Sequence, residues 1–248
     1  MDFFPIASSS KGNATCVAHE QEILIVDCGV PRKTIFEKLE QEGVDSSCVK
    51  GVLVTHDHTD HISGLESFLG KFDVPVFANS LTAEAVSSKL GIDIGSFVIF
   101  ENSQEFEFGS FKVCPFSIPH DTPDPVGFLI SAGGVTYFHG TDIGTPLDSI
   151  GKMFAMAQLA TIESNHDLEM LFASGRPMSL IKRISGPRGH LSNEEAAMLV
   201  KSFASQNLKR IFLAHLSHDC NDSVLAEKTM ARALRDIGRQ DVTIRVRC

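Results

Sequence analysis

Six consecutive residues, His56-Asp57-His58-Thr59-Asp60-His61, stand directly after the short apolar run Gly51-Val52-Leu53-Val54-Thr55. Three imidazoles and two carboxylates in so short a stretch are costly to place together unless a cation compensates them. Imidazole and carboxylate ligands suit Zn²⁺, Mn²⁺ or Fe. On a loop, His56 and His58 can point one way and chelate one ion, while Asp60 and His61 turn toward a second. A chain with this feature needs a buried strand that ends in a polar loop.

The surrounding sequence supplies such strands. Residues 23–26 form an unbroken apolar run closed by Asp27-Cys28-Gly29, the pattern of a strand buried on both faces. Pro31 opens a helix to about Glu42, and Gly43 stops it. Residues 74–77 read as a strand, 81–90 as a helix closed by Gly91, and 97–113 as a β-meander turning at Gly109-Ser110. Gly133-Gly134 separates two strand-like runs, a hairpin signal. Strands follow at 159–162 and 211–214, and Ser192 with Glu195 forms a capping box before a helix ending near Ser205. Asp222 caps a last helix through Arg235, and residues 242–246 close the chain as a strand. This mixture predicts an α/β (α+β) fold in one domain over residues 1–248, with helices outside packed sheets.

Composition narrows the class. Hydrophobic residues make up 43% of the 248, enough for a real core, which excludes a disordered or fibrous chain. No apolar run approaches the ~18–20 residues of a membrane helix. Residues 1–5 show no basic, then apolar, leader, so the expected compartment is the cytoplasm and no membrane partner is expected. The six cysteines (Cys16, Cys28, Cys48, Cys114, Cys220, Cys248) include no C-x-x-C pair, which points to reduced thiols rather than disulfides or a cysteine zinc knuckle. With 22 basic and 31 acidic residues the net charge is −9, so a polyanion must meet a local patch.

The H-x-H-x-D-H pattern after a short apolar strand resembles the metallo-β-lactamase superfamily, and four further signals agree in order. They are Asp27-x-Gly29 after the first buried strand, His120 in Ile118-Pro119-His120, Asp142 in Gly140-Thr141-Asp142, and His215 after the strand at 211–214. The resemblance covers nearly the whole chain and implies a four-layer αββα sandwich. It also implies that His56, His58 and His120 hold one metal, that Asp60, His61 and His215 hold a second, and that Asp142 bridges them. Two divalent ions, Zn²⁺ or Mn²⁺, lower the pKa of a shared water toward ~7 and so yield a metal-bound hydroxide nucleophile. Asp60 counts among the catalytic residues as well as the ligands. This chemistry serves lactams, thioesters, lactones and phosphodiesters alike.

Other residues favour a phosphodiester. Gly189-His190-Leu191-Ser192 resembles a motif of the superfamily's tRNA 3′-processing branch, and Thr161-Ile162-Glu163-Ser164-Asn165-His166 sits where that branch has a His-Glu-Ala-Thr motif. Carried over, His190 is the general acid that protonates the leaving alkoxide, and Glu163 orients it. Asn165 replaces the motif's threonine, and His166 is an added candidate for proton donation. The capping box after His190 starts a helix whose N–H groups suit a phosphate. Arg176, Lys182, Arg183 and Arg188 fall within thirteen residues without Asp or Glu, a pattern suited to the phosphate backbone.

The turn Ser8-Ser9-Ser10-Lys11-Gly12-Asn13, together with residues 163–167, 189–193 and 215–217, looks like the YycJ/WalJ group of bacterial metallo-β-lactamase-fold proteins. That resemblance implies 5′-to-3′ exonuclease action, with DNA as the nucleic-acid substrate. Exposed N–H and hydroxyl groups at Ser9, Ser10 and Asn13 can hold a phosphate. The rival reading is a small-molecule thioester, lactone or cyclic-phosphodiester hydrolase. Such an enzyme has no use for the Glu163–His190 pair or the basic stretch.

Overall fold

The computed structural model describes residues 1–246; Cys248 lies outside the described residues. The chain opens with an antiparallel hairpin, β1 (Asp2–Ser9) and β2 (Gly12–His19), followed by β3 (Glu22–Val26) antiparallel to β2. The apolar run at 23–26 is buried throughout, as its unbroken pattern requires. Helix α1 (Arg32–Gln41), with Pro31 at its N-cap, leads to β4 (Val49–Leu53). Short helices α2 (Thr59–Ile62) and α3 (Leu65–Leu69) precede β5 (Val76–Ala78). Helix α4 (Ser80–Leu90), closed by Gly91 in the left-handed conformation, leads to β6 (Phe97–Ile99). These strands form a six-stranded sheet in the order β1-β2-β3-β4-β5-β6, with β3 to β6 parallel.

The meander expected over 97–113 is only half present. Strands β7 (Phe106–Phe108) and β8 (Phe111–Ser117) pair antiparallel across Gly109-Ser110, but β6 lies parallel to β5 in the first sheet. A helix between two strands makes a crossover connection, and α4 is such a helix.

Strands β9 (Val126–Ala132) and β10 (Val135–Gly140) flank Gly133-Gly134. Helix α5 (Asp148–Ala155) leads to β11 (Leu159–Glu163). Three helices follow, α6 (Leu168–Ala173), α7 (Met178–Ile184) and α8 (Asn193–Phe203), before β12 (Arg210–Ala214). Helix α9 (Ser223–Asp236) and β13 (Thr243–Val246) complete the described chain. The capping box at Ser192 and the Asp222 cap are both formed. The second sheet runs β13-β12-β11-β10-β9-β8-β7, with β10 to β13 parallel.

The chain forms two compact units. One comprises residues 1–115, 122–126 and 131–133; the other comprises 116–121, 127–130 and Gly134 onward. The first is built on Ile25 and Val52 from the sheet, Ile35 and Leu39 from α1, and Leu65 and Phe68 from α3. In the second, the Phe138 ring stacks on Phe116 at 5.2 Å and meets Phe154 of α5 edge-on at 5.4 Å. Among the described residues no helix is long and apolar enough to cross a membrane. Each unit contains a block of parallel strands, and polar residues gather where such strands end, because adjoining loops diverge there. Asp27 follows β3 and His56 follows β4 in one unit; Asp142, Glu163 and His215 stand at the ends of β10, β11 and β12 in the other.

Candidate active site

In the first unit the histidine loop is organised by a buried carboxylate. Asp27, in the left-handed conformation at φ 61°, accepts hydrogen bonds from the Thr55 backbone N–H at 2.9 Å and from the Thr55 hydroxyl at 2.9 Å. It also accepts one from His61 Nδ1 at 2.7 Å. A carboxylate only accepts, so the His61 proton sits on Nδ1 and the lone pair on Nε2, the arrangement that presents a metal ligand. The Thr55 hydroxyl, having donated to Asp27, accepts from His56 Nδ1 at 2.9 Å, which puts that lone pair on Nε2 as well. The His56 ring lies 4.8 Å from that of His58 and 4.1 Å from that of His61.

Asp60 sits in the first turn of α2, with Oδ2 3.5 Å from His61 Nε2. The Asn13 amide donates to Asp60 Oδ2 at 3.0 Å and lies 3.1 Å from His61 Nε2. Gly29 explains the Asp-x-Gly pattern: a Cβ there would lie 1.6 Å from the Asp60 carbonyl oxygen, so only glycine lets α2 approach. Asp57 takes no part in this cluster. It pairs with Lys89 of α4 and accepts from the Thr122 hydroxyl. Burial raises its carboxyl, but Lys89 and Thr122 outweigh burial and hold it below the ordinary carboxylate range.

The second unit is organised by Glu163, which is fully buried. One carboxylate oxygen accepts from His190 Nδ1 at 3.0 Å and His215 Nδ1 at 2.8 Å. The other accepts from the backbone N–H of Ile143 and of Leu191, both at 2.9 Å. One side chain thereby fixes the segments carrying Asp142, His190 and His215. Asp142 and His215 are themselves left-handed, at φ 58° and 57°, which turns their side chains sharply out of the strands they follow. One ligand atom from each of Asp142, Glu163, His190 and His215 lies within 4.8 Å of the others. His120 donates through Nδ1 to the Gly189 carbonyl at 3.0 Å, which leaves its lone pair on Nε2, 3.7 Å from Asp142 Oδ1.

The electrostatics follow from this packing. Burial alone would raise the Glu163 carboxyl, yet the His190 charge and the hydrogen bonds from His190 and His215 hold it well below the usual carboxylate range. Burial disfavours a charged His190, but the charge and hydrogen bond of Glu163 and the charge of Asp142 raise its pKa above the ordinary imidazole value. The His190 side chain keeps 21% of its surface exposed while that of Glu163 has none. A raised pKa with partial exposure is what a proton donor requires.

An asparagine network below these residues was not legible in the sequence. Asn165 donates to the His215 carbonyl at 2.8 Å. Asn221 donates to the carbonyls of Ser164 and Asn165 at 2.8 and 3.0 Å and to Asn193 Oδ1 at 2.9 Å. Ser164 adds a hydroxyl bond to Asn193 Oδ1 at 2.6 Å. The three loops meet through buried amides widely spaced in the chain, and no local spacing announces them.

The remaining expected residues fall in varied surroundings. Ser9 and Ser10 lie at the tip of the β1–β2 hairpin, where Asn13 Oδ1 accepts from the Ser9 N–H at 3.1 Å. Lys182 is exposed on α7. Arg183 pairs with Asp121 at 2.6 Å, and Arg188 Nε donates to the His120 carbonyl at 2.8 Å. His166 is completely buried, neither ring nitrogen has a hydrogen-bond partner among the described residues, and burial lowers its pKa. His139 is buried beside the Tyr137 hydroxyl at 3.0 Å, whereas His218 is exposed and pairs with Asp219. No disulfide links the described cysteines, and burial pushes the Cys16 and Cys28 thiols far up, which makes them unreactive.

Buried carboxylates that hold histidine Nδ1 atoms, at the carboxyl ends of parallel strands in a two-sheet α/β fold, define a metallohydrolase architecture. The Beta-lactamase superfamily domain matches residues 24–216, and the chain belongs to that superfamily of hydrolases, with the metallo-β-lactamase fold. It is 34% identical to the exodeoxyribonuclease YycJ of Bacillus anthracis over 239 residues, covering 96% of this chain and 90% of the relative. The exodeoxyribonuclease WalJ of Streptococcus pneumoniae serotype 2 is 31% identical over 232 residues, covering 92% and 86%. Among solved structures, the metallo-beta-lactamase fold protein YhfI from Bacillus subtilis superposes with a TM-score of 0.73 at 18% identity, covering 99% of this chain and 95% of that one. The His/Asp clusters are able to bind divalent metal, since their imidazoles present Nε2 lone pairs and their carboxylates are anionic ligands.

Proposed function

We propose that the chain is a dinuclear-metal-dependent phosphodiesterase acting on nucleic acid, and that it is an exonuclease on DNA. The observation that carries this reading is the Glu163–His190 pair. His190 donates through Nδ1 to a buried carboxylate and so holds its proton for delivery at Nε2, on a side chain that is itself partly exposed. A sugar alkoxide is a poor leaving group without a proton, whereas a thiolate departs unaided. The exodeoxyribonuclease names of the relatives at 34% and 31% identity point the same way.

In this reading His56, His58 and His120 would hold one ion and Asp60, His61 and His215 another, with Asp142 shared as a ligand, the ions being Zn²⁺ or Mn²⁺. Bound ions would supply an acidified water and positive charge against the phosphate oxygens. The chain's own residues do the rest. Asp27 and Glu163 orient the histidines and set their tautomers. His190, rather than His166, donates the proton, because His166 is buried and burial lowers its pKa. Asn13 steadies Asp60, while Ser9, Ser10, Lys182, Arg183 and Arg188 meet phosphates.

The test is a substrate panel with Mn²⁺ or Zn²⁺ added: end-labelled duplex DNA, single-stranded DNA, RNA, bis(p-nitrophenyl) phosphate and a thioester. Progressive shortening of DNA from one end, with the thioester untouched, is expected. Fast thioester hydrolysis with all nucleic acids intact would replace the proposal with a small-molecule hydrolase.

A further inference from the structure

The chain between Glu163 and His190 forms a small lobe with its own character. Leu171 of α6 and Ile181 of α7 are buried together with Cys220, and Ile184 packs against them. With those residues turned inward, Leu168 and Phe172, one turn apart on α6, are 41% and 57% exposed, and Met178 at the start of α7 is 55% exposed. Met178 and Lys182 are likewise one turn apart on α7. From Met170 to His190 there is no Asp or Glu, but there are Arg176, Lys182, Arg183 and Arg188, in a chain whose net charge is −9. Lys182 has no ion pair among the described residues, while Arg176 and Arg183 are held in surface pairs with Asp219 at 3.0 Å and Asp121 at 2.6 Å. Pairs of that kind are weak and exchange readily for a phosphate.

The lobe is also fastened to the proton-transfer pair. The His190 N–H donates to the Ile184 carbonyl at 2.9 Å. A Cβ on Gly189 would lie 2.1 Å from that same oxygen, so the last turn of α7 sits directly on the residue before His190. A ligand held on α6 and α7 is therefore held at a fixed place relative to His190.

We propose that this lobe is a docking platform for an unpaired DNA strand, with Phe172 stacking on a base and Lys182 meeting the backbone; the proposal rests on the nuclease reading above. Exposed aromatic faces interleaved with cations suit single strands, whose bases have open π-faces, and not paired duplex, whose bases are already stacked. A second copy of the chain is the poorer occupant. A two-fold contact through this surface would set the acid-free, cationic stretches 170–190 of two copies against each other.

The test measures binding of a phosphorothioate duplex bearing a ten-nucleotide single-stranded tail by fluorescence anisotropy, with the same duplex blunt-ended for comparison. Phe172→Ala should weaken binding of the tailed duplex by about 5- to 150-fold and leave the blunt duplex within about twofold. Phe172→Tyr should restore the tailed duplex, because it keeps the aromatic face. Lys182→Gln should weaken both and make the salt dependence shallower by about one unit. For Phe172→Ala, equal loss on tailed and blunt DNA, or no loss, overturns the platform while leaving the nuclease reading intact. A wild-type protein that neither binds nor cuts any nucleic acid overturns both. Loss of a dimer in Phe172→Ala, with DNA binding unchanged, assigns the surface to a second copy instead.

Discussion

Asp27 and Glu163 do the same work in two different ways. Each is a buried carboxylate at the end of a parallel strand, and each holds a histidine by Nδ1. Asp27 orders one continuous loop: its partners Thr55 and His61, and His56 through Thr55, are all within a few residues of one another. Glu163 gathers segments spread between residues 142 and 215, holding two histidines and two backbone amides at once. Where the chain itself brings candidate ligands together, the carboxylate only sharpens their orientation. Where candidate ligands arrive from distant strand ends, the carboxylate is the joint that assembles them.

That contrast sets the sizes of the expected effects. Glu163→Gln should cost most. The amide keeps only one of the two oxygens, so its N–H groups face either the histidine donors or the backbone donors, and one pair of buried bonds is broken along with the charge. On the proposed nuclease reading, turnover on DNA should fall by about 10³-fold or more, combining loss of an oriented acid with loss of ligand orientation. Circular dichroism should still show a folded protein. A Glu163→Gln enzyme within tenfold of wild type would show that the joint is dispensable.

Asp27→Asn should cost about 10–100-fold in metal affinity or activity, because the loop still brings His56, His58 and His61 together. Metal titration against a competing chelator measures it. A loss on Asp27→Asn as large as that on Glu163→Gln would erase the distinction between local and distributed assembly.

The ease of reading these two regions differs for the same reason. His56 to His61 is dense enough to stand out as a metal loop, and Asp27-x-Gly29 stands out once Gly29's approach to Asp60 is known. Glu163 and His190 are visible only through resemblance to a family motif, since nothing in the spacing of residues 142, 163, 190 and 215 connects them. The bonds that join the asparagines at 165, 193 and 221 are not legible in the sequence, because a buried amide network depends on three-dimensional closure. The place of β6 in the fold is hidden in a similar way. Residues 97–99 look like the start of a meander, and only the crossover through α4 places them beside β5. The hairpin β1–β2 is not legible in the sequence, because Pro5 and the Ser8-Ser9-Ser10 run interrupt its strand pattern.

The smallest effect belongs to Asp57, which lies inside the histidine motif but serves the fold. Lys89→Met leaves a buried carboxylate without its cation and should destabilise the protein by about 1–3 kcal/mol. Because the folded-state pKa of Asp57 is below its ordinary value of 3.8, the folded form favours the ionised group. Its contribution is therefore complete above about pH 4 and is lost as pH falls through the folded-state value. Thermal melts of wild type and Lys89→Met should differ most above that pH and converge below it. A difference independent of pH would assign Lys89 a packing role alone.

The proton assigned to His190 can be tested by changing the leaving group. His190→Ala should retain its metal content and lose about 10²–10⁴-fold in rate on an oligonucleotide, whose leaving alkoxide needs a proton. On bis(p-nitrophenyl) phosphate, whose phenolate departs without one, the loss should be far smaller. Equal losses on the two substrates would contradict proton donation by His190 and leave it a residue that only binds phosphate.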